Sequence, residues 1–283
     1  MPELPEVETT TKGLKRTILG LTIKDVWTDL STTDNRQKES VANPKYFKVF
    51  KKEILNKKVL SIERRAKNIL INISGDKTIL IHLKMTGYLF YGKNQKIKFA
   101  HVIFSLSNKK YLVFSDMRKF GKITLLDTKT IHDSKHLKYI GPEPLDKKFT
   151  LEVLKERLNR KPNGKIKTVL IDQNIVAGIG NIYSDEILWY SCVHPERKVS
   201  KLKEGEIKLI FKAIKEVLTK GIDFGGDSMS DYRNIYGLLG NFQLHHEAYR
   251  RTGEKCRKKG CKGVIKRKII NGRSAHFCSI HQK

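Results

Sequence analysis

Residues 68–85 read NILINISGDKTILIHLKM. Ile69, Ile71 and Ile73 alternate with other residues, SGDK interrupts, and Ile79, Ile81 and Leu83 resume the alternation. A period of two belongs to strands, because successive side chains leave a strand on opposite faces. Two such runs joined by a Gly-Asp turn predict a hairpin. The pattern returns at HVIFSL, SNKK and YLVFSD, residues 101–116. Half-apolar hairpins must cover their apolar faces, and stacking two sheets is the economical way to do it. Residues 1–130 therefore predict a two-sheet β-sandwich with one leading helix. In that helix Val7, Leu14 and Ile18 share a stripe, and Gly20 fits the stop.

The period then changes. Residues 131–149 read as a linker punctuated by Gly141, Pro142 and Pro144. TLEVLKERLNR (150–160) predicts a helix capped by Thr150, with Glu152 and Glu156 near its start. From Glu206 to Lys220, Ile207, Ile210, Phe211, Ile214, Val217 and Leu218 fall on one helical face. Between them DQNIVAGIGNIYSDEILWYS (172–191) is apolar and helical in pattern, broken at Gly178 and Gly180. The fold class is α+β and multidomain, with a sandwich domain 1–130, a helical domain 150–245 and a tail 246–283.

Lys and Arg total 57 against 29 Asp and Glu, a formal charge of +28 spread along the whole chain. Such a charge predicts a polyanionic partner, nucleic acid first. An anionic membrane is the weaker choice, since no long basic amphipathic helix stands out. No stretch approaches the roughly 18 apolar residues of a membrane span, and no export signal heads the chain. A cytoplasmic, nucleoid-associated protein is expected.

Three of the four cysteines lie in CRKKGCKGVIKRKIINGRSAHFCSIH, residues 256–281. Cys256 and Cys261 form one close pair, Cys278 and His281 another. Two close pairs on the knuckles of a β-hairpin suit one structural, tetrahedral Zn²⁺. His276 competes with His281 as fourth ligand. So short a tail has little core, and metal binding would supply its folding energy. Lys266, Arg267, Lys268 and Arg273 are expected at the hairpin tip, where a DNA-contacting finger needs cations. Cys192 reads as a small buried hydrophobe in an apolar helix.

The chain opens MPELPEVETT. Helix-start chemistry accounts for a proline and acids in a first turn, but it leaves Pro2 unexplained. Removal of Met1 would free a secondary amine there. An α-amino group has a pKa near 8, and amines attack carbonyl-like carbons to form Schiff bases. A proline amine gives a permanently cationic iminium. Glu3 lies beside it as a general acid and base, and Glu6, one turn on, can fix the geometry. In a basic DNA-binding chain this suggests attack at a sugar C1′.

PELPEVETT, RRAKNILI (64–71), HLKMTG (82–87), SDMRKFG (115–121), GPEPL (141–145), DQNIVAGIGNIYSDE (172–186) and GRSAHFC (272–278) stand in this order along the chain. Together they resemble the formamidopyrimidine-DNA glycosylase family, bacterial bifunctional glycosylase/AP lyases for oxidised purines. The resemblance implies a helix plus β-sandwich, a helix–two-turns–helix domain and a zinc finger, with DNA in the cleft between the domains and the damaged nucleotide flipped into a pocket. It implies Pro2 as nucleophile, Glu3 as acid/base, Glu6 in support, and Lys67 in lesion recognition and β-elimination, although a lone surface lysine would look the same.

By the same resemblance Met85, Arg118 and Phe120 fill the gap left by the extruded base. Burial of Met85 and Phe120 in a core would argue otherwise. His101, Lys167, Asn181 and Arg273 match phosphate contacts, and Arg273 also matches the strand-cleavage step. Residues 226–242 match a loop that covers the extruded purine and is mobile when free. The partner is duplex DNA carrying oxidised bases or abasic sites, met by a monomer. Zinc is the one cofactor, without nucleotide, redox group or Mg²⁺. The products follow from base excision, covering 8-oxoguanine and formamidopyrimidines, and then β,δ-elimination. One departure is visible. The family finger has two Cys-x₂-Cys pairs, whereas here the first pair is wider and the last ligand is His281. The rivals are an endonuclease VIII-type glycosylase for oxidised pyrimidines and a non-enzymatic zinc-containing nucleic-acid-binding protein.

Overall fold

Helix α1 (Leu4–Thr17) starts with proline in its first turn and ends with Lys15 and Arg16 against its carbonyl end. Three of its threonine hydroxyls turn back onto the helix: Thr10 donates to the Glu6 carbonyl, Thr11 to Val7 and Thr17 to Gly13. They thereby enter an apolar face without an unpaired polar atom. The computed structural model describes residues 1–283, apart from the side chain of Arg36.

Strands follow as the alternation predicts. They are β1 (Ile23–Thr28), β2 (Val59–Arg65), β3 (Asn68–Ile73), β4 (Lys77–His82), β5 (Tyr88–Gly92), β6 (Ala100–Leu106), β7 (Tyr111–Ser115) and β8 (Lys122–Asp127). They build two antiparallel four-stranded sheets, ordered β1-β6-β7-β5 and β2-β3-β4-β8. Ile69 faces Ile81 and Ile71 faces Ile79 across the β3–β4 hairpin. The facing side chains of both sheets meet in one core with Val7 and Leu14 of α1 and Ile18 directly after it. A second helix, α2 (Pro44–Ile54), was not predicted. Asn43 caps it, accepting from the Tyr46 amide at 3.0 Å, and Pro44 opens its first turn. Only Phe50 and Ile54 are buried along it. Half-buried Tyr46 and Phe47 pack beside them against the same core, so the stripe and the Asn-Pro start were both legible signals.

The chain divides into two compact units. The first contains residues 1–138 together with 224–241. The latter segment follows the long helix of the second unit in the chain, yet it packs on α1. Tyr232 and Ile235 are buried, the Tyr232 hydroxyl donates to the Glu6 carbonyl at 3.1 Å, and the Tyr91 amide donates to the Ile235 carbonyl at 2.7 Å. Met229 and the stretch around Tyr236, Leu238 and Leu239 stay exposed.

The second unit contains residues 139–223 and 242–283. Its elements are α3 (Leu151–Asn159), α4 (Ile166–Ile171), α5 (Asn181–Tyr190), α6 (Glu204–Asp223), β9 (Ile265–Ile270) and β10 (Arg273–Cys278). Thr150 caps α3 through the Val153 amide, and α6 buries Ile210, Ile214, Val217 and Leu218 as its stripe requires. Cys192 departs from expectation. It lies past the end of α5, half-buried, at φ +60°, in the left-handed turn that closes the helix rather than inside it. Among the described residues no helix is long and apolar enough to cross a membrane.

Candidate functional site

A chain terminus usually frays, but this one is sunk into the first unit. Pro2 is buried, Glu3 is 2 % exposed and Glu6 1 %. The Glu6 carboxylate bonds in two directions. Its Oε2 accepts from the Glu3 amide at 2.6 Å and its Oε1 from the Asp227 amide at 2.8 Å. One side chain thus orients the residue after Pro2 and anchors the start of segment 226–242.

Lys67 is buried too, in the tight turn between β2 and β3 after Ala66 at φ +53°. Arg64 ties that turn to α1. Its guanidinium reaches Glu8 at 2.7 Å and the Ala66 carbonyl at 3.1 Å. Burial of a lysine in a turn braced by an ion pair is unlike an ordinary surface lysine.

Met85 and Phe120 are 40 % and 50 % exposed. Neither belongs to the core. The Arg118 guanidinium lies 4.7 Å from the Phe120 ring centroid, a stacked pair that keeps a long cation in place. Arg118 and Phe120 border a cavity of about 700 Å³ that Lys84, Lys119 and Lys122 also line.

His101 holds Asp29 through Nδ1 at 2.8 Å, while its Nε2 is buried without a hydrogen-bond partner. Asn181 opens α5, and its Oδ1 is likewise buried and unpartnered. Lys167 differs from the expectation of a phosphate contact. Its side chain has no exposed surface, and its ammonium bonds Asp185 at 2.5 Å and Ser184 at 3.1 Å. In this structure it fixes the first turns of α5 and Asn181 with them. Lys167→Met would leave Asp185 buried with only His276 as partner. The expected cost is about 3–5 kcal/mol, read as a lowered denaturant midpoint.

Three further residues shape this unit, and linear reading missed them. Gln173 donates to the Ile171 and Ile179 carbonyls and accepts from the Gly178 amide, setting the turn before α5. Asp185 also accepts from the His276 amide and ring, which takes His276 out of contention as a metal ligand. Glu186 accepts three consecutive amides, from Glu247, Ala248 and Tyr249. Burial pushes the Glu186 carboxyl up, and those amides oppose the shift. Acids inside an apolar helix were the signal.

Cys256, Cys261, Cys278 and His281 converge, with all four donor atoms within 4.8 Å of one another. Cys256 Sγ lies 3.3 Å from His281 Nδ1, and Cys261 Sγ 3.6 Å from Cys278 Sγ. Tetrahedral bonds of about 2.0–2.3 Å place donors roughly 3.3–3.8 Å apart, so the set fits one metal ion. His281 Nε2 donates to the Trp189 carbonyl at 3.2 Å, leaving Nδ1 as the ligating nitrogen. Burial holds the His281 imidazole below its ordinary value, in the neutral form a metal needs.

The hairpin cations need a correction. Lys266, Arg267 and Lys268 run along β9, not at its tip, and Lys268 pairs with Glu196 at 2.6 Å. The turn is Asn271-Gly272, and Arg273 is the exposed cation beside it.

Comparison with known proteins places this fold. Residues 1–123 match the formamidopyrimidine-DNA glycosylase N-terminal domain, and residues 140–233 match the formamidopyrimidine-DNA glycosylase H2TH domain. The class is a DNA glycosylase built on a helix–two-turns–helix module. The formamidopyrimidine-DNA glycosylase of Pelotomaculum thermopropionicum is 40 % identical over 285 residues, covering 100 % of this chain and 99 % of that protein. That of Ligilactobacillus salivarius is 37 % identical, covering 98 % and 97 %. Lactococcus lactis Fpg, solved with DNA containing an abasic site, superposes with a TM-score of 0.88 at 33 % identity over 99 % of both chains. A Lactococcus lactis variant solved with Fapy-dG-containing DNA gives 0.89 over 100 % of both. The chain belongs to the formamidopyrimidine-DNA glycosylase family.

Proposed function

We propose that the chain is a base-excision repair glycosylase for oxidised purines whose N-terminal proline is the nucleophile. The observation that carries this reading is the burial of Pro2 beside Glu3 and Glu6, which also cap α1 reciprocally and so hold the start of the chain in place. Once Met1 is removed, the Pro2 nitrogen attacks C1′ of the extruded nucleotide. The C1′–N bond to the base breaks, and Glu3 passes a proton to the departing base or sugar. The C1′–O4′ bond of the sugar ring then opens, Glu3 protonating O4′, and the nitrogen carries an iminium, which acidifies the C2′ proton. Loss of that proton expels the 3′ phosphate, and a second elimination expels the 5′ phosphate. This is the AP lyase half of the activity, with Lys67 assisting. Relatives of this chain have been solved with abasic-site and Fapy-dG DNA, in line with a duplex DNA partner.

Met85, Arg118 and Phe120 fill the vacated stack, and His101, Asn181 and Arg273 engage phosphates. Cys256, Cys261, Cys278 and His281 hold Zn²⁺, which when bound supplies a structural cross-link for the hairpin that carries Arg273. The protein acts as a monomer in the cytoplasm, at the nucleoid.

Borohydride trapping tests the reading. A covalent adduct forms with duplex DNA holding 8-oxoguanine opposite cytosine; an adduct with oxidised pyrimidines alone points to the endonuclease VIII branch, and none with either substrate to a binding protein. Affinity should fall with salt, log K dropping by about 0.9 per log unit for each phosphate neutralised. Arg273→Gln reduces that slope by about one phosphate, measured by fluorescence anisotropy.

A further inference from the structure

Met85 sits on the loop between β4 and β5, and Arg118 and Phe120 on the loop between β7 and β8. One buried carboxylate joins the two loops. Asp116 has no exposed surface. Its Oδ1 accepts the Thr86 hydroxyl and, at 3.2 Å, the Arg118 amide. Its Oδ2 accepts the Gly121 amide at 2.6 Å. The Arg118 amide is shared with Thr86 Oγ1 at 3.1 Å. All these donors belong to the two loops. Thr86 directly follows Met85, while Arg118 and Gly121 bracket Phe120.

The loops share a second support. A Cβ on Gly87 would lie 2.9 Å from Phe114 Cζ, and one on Gly121 2.2 Å from the same atom, so both backbones press on one ring. Lys84 and Lys119, which precede Met85 and Phe120, are both left-handed, at φ +55° and +56°. Such residues persist where surrounding bonds over-determine them.

We propose that Asp116, acting with Thr86, is the positioning group that presets Met85, Arg118 and Phe120 as one wedge and thereby sets the rate of lesion extrusion from duplex DNA. The proposal rests on the repair reading above. Independent loops would each have to be ordered at the moment of insertion, at an entropic cost. Loops locked to one carboxylate are ordered beforehand. The covalent step at Pro2 gains nothing from Asp116. A single-stranded abasic site has no stack to hold open and does not need the wedge.

Single-turnover cleavage by the full chain separates the two. Thr86→Val deletes the hydroxyl and keeps the volume. It is expected to slow excision of 8-oxoguanine from duplex DNA about tenfold and to change cleavage of a single-stranded abasic oligonucleotide by less than about twofold. Thr86→Ser restores the duplex rate. Asp116→Asn turns an amide donor toward the Gly121 amide and deepens the duplex defect. In a double-mutant cycle Thr86→Val adds little to Met85→Ala, because both act through the wedge. Equal losses on both substrates, an unchanged duplex rate, failure of the serine to rescue, or full additivity with Met85→Ala would each overturn the proposal. A native chain that leaves both substrates intact overturns the repair reading itself, a distinct outcome.

Discussion

Blocking the Pro2 nitrogen abolishes the borohydride-trapped adduct. The block can be a retained Met1, a short uncleaved extension or acetylation; each converts the amine into an amide, whose lone pair is delocalised and cannot attack C1′. Excision and strand cleavage should both fall by at least about 10³-fold, since covalent catalysis and the electron sink disappear together. Glu3→Gln separates the steps. Proton transfer to the leaving base is lost, at about 10²–10⁴-fold, while a preformed abasic site still traps on Pro2. The variants should fold, because the sandwich core begins at Leu4 and Val7 and does not use the Pro2 nitrogen. Mass spectrometry of the active protein supplies the check. Full activity from a chain that keeps Met1 would end the proposed mechanism.

The second large effect is metal removal. The hairpin's own core is small. Ile270, Ala275 and Phe277 form one cluster, and Cys256, Cys278 and Ile265 pack with Trp189 and Ala248 in another. Two of the expected ligands are therefore themselves core residues. Structural zinc contributes about 10–16 kcal/mol in isolated finger peptides, far more than these contacts supply. Chelation should release one Zn²⁺ per chain, unfold residues 253–283 and leave the sandwich folded. With Arg273 no longer held, duplex binding weakens by about tenfold or more. His281→Ala lowers the metal content, His276→Ala does not, and His281→Cys keeps it. A purified protein without zinc, unaffected by a chelator, would remove the metal from the account.

Much of the first unit was legible because its signals are local and repeated. Alternating isoleucines around SGDK specify β3, β4 and their register, since a one-residue slip would turn every isoleucine outward. The wide stripe of α6 and the Thr150 cap were equally plain. Helix α2 was legible but not read, with its Asn-Pro start and Tyr46, Phe47, Phe50 and Ile54 on one face, and α4 was missed because six residues are too few to show a period. Among site residues the donor set of the metal cluster was readable from pair spacing. Lys167 was not, because a lysine that binds phosphate and one buried against Asp185 look the same in a linear string. The β9 cations were misplaced by a similar limit: spacing located the hairpin, but the turn falls at Asn271-Gly272.

What the amino-acid order determined by itself was periodicity and chemistry: the strands and long helices, a proline at position 2 with two glutamates close behind it, four candidate metal donors, and a charge suited to DNA. What only the tertiary structure decided was partnership. Asp116 joins two loops 30 residues apart in the chain, Glu6 reaches the amide of a residue 221 positions away, and Glu186 gathers amides from the start of the tail. Local patterns arise from the near-neighbour geometry of helices and strands, which the chain carries at every position. A buried carboxylate finds its donors only when the whole core has closed, because they are then the only groups left to satisfy it.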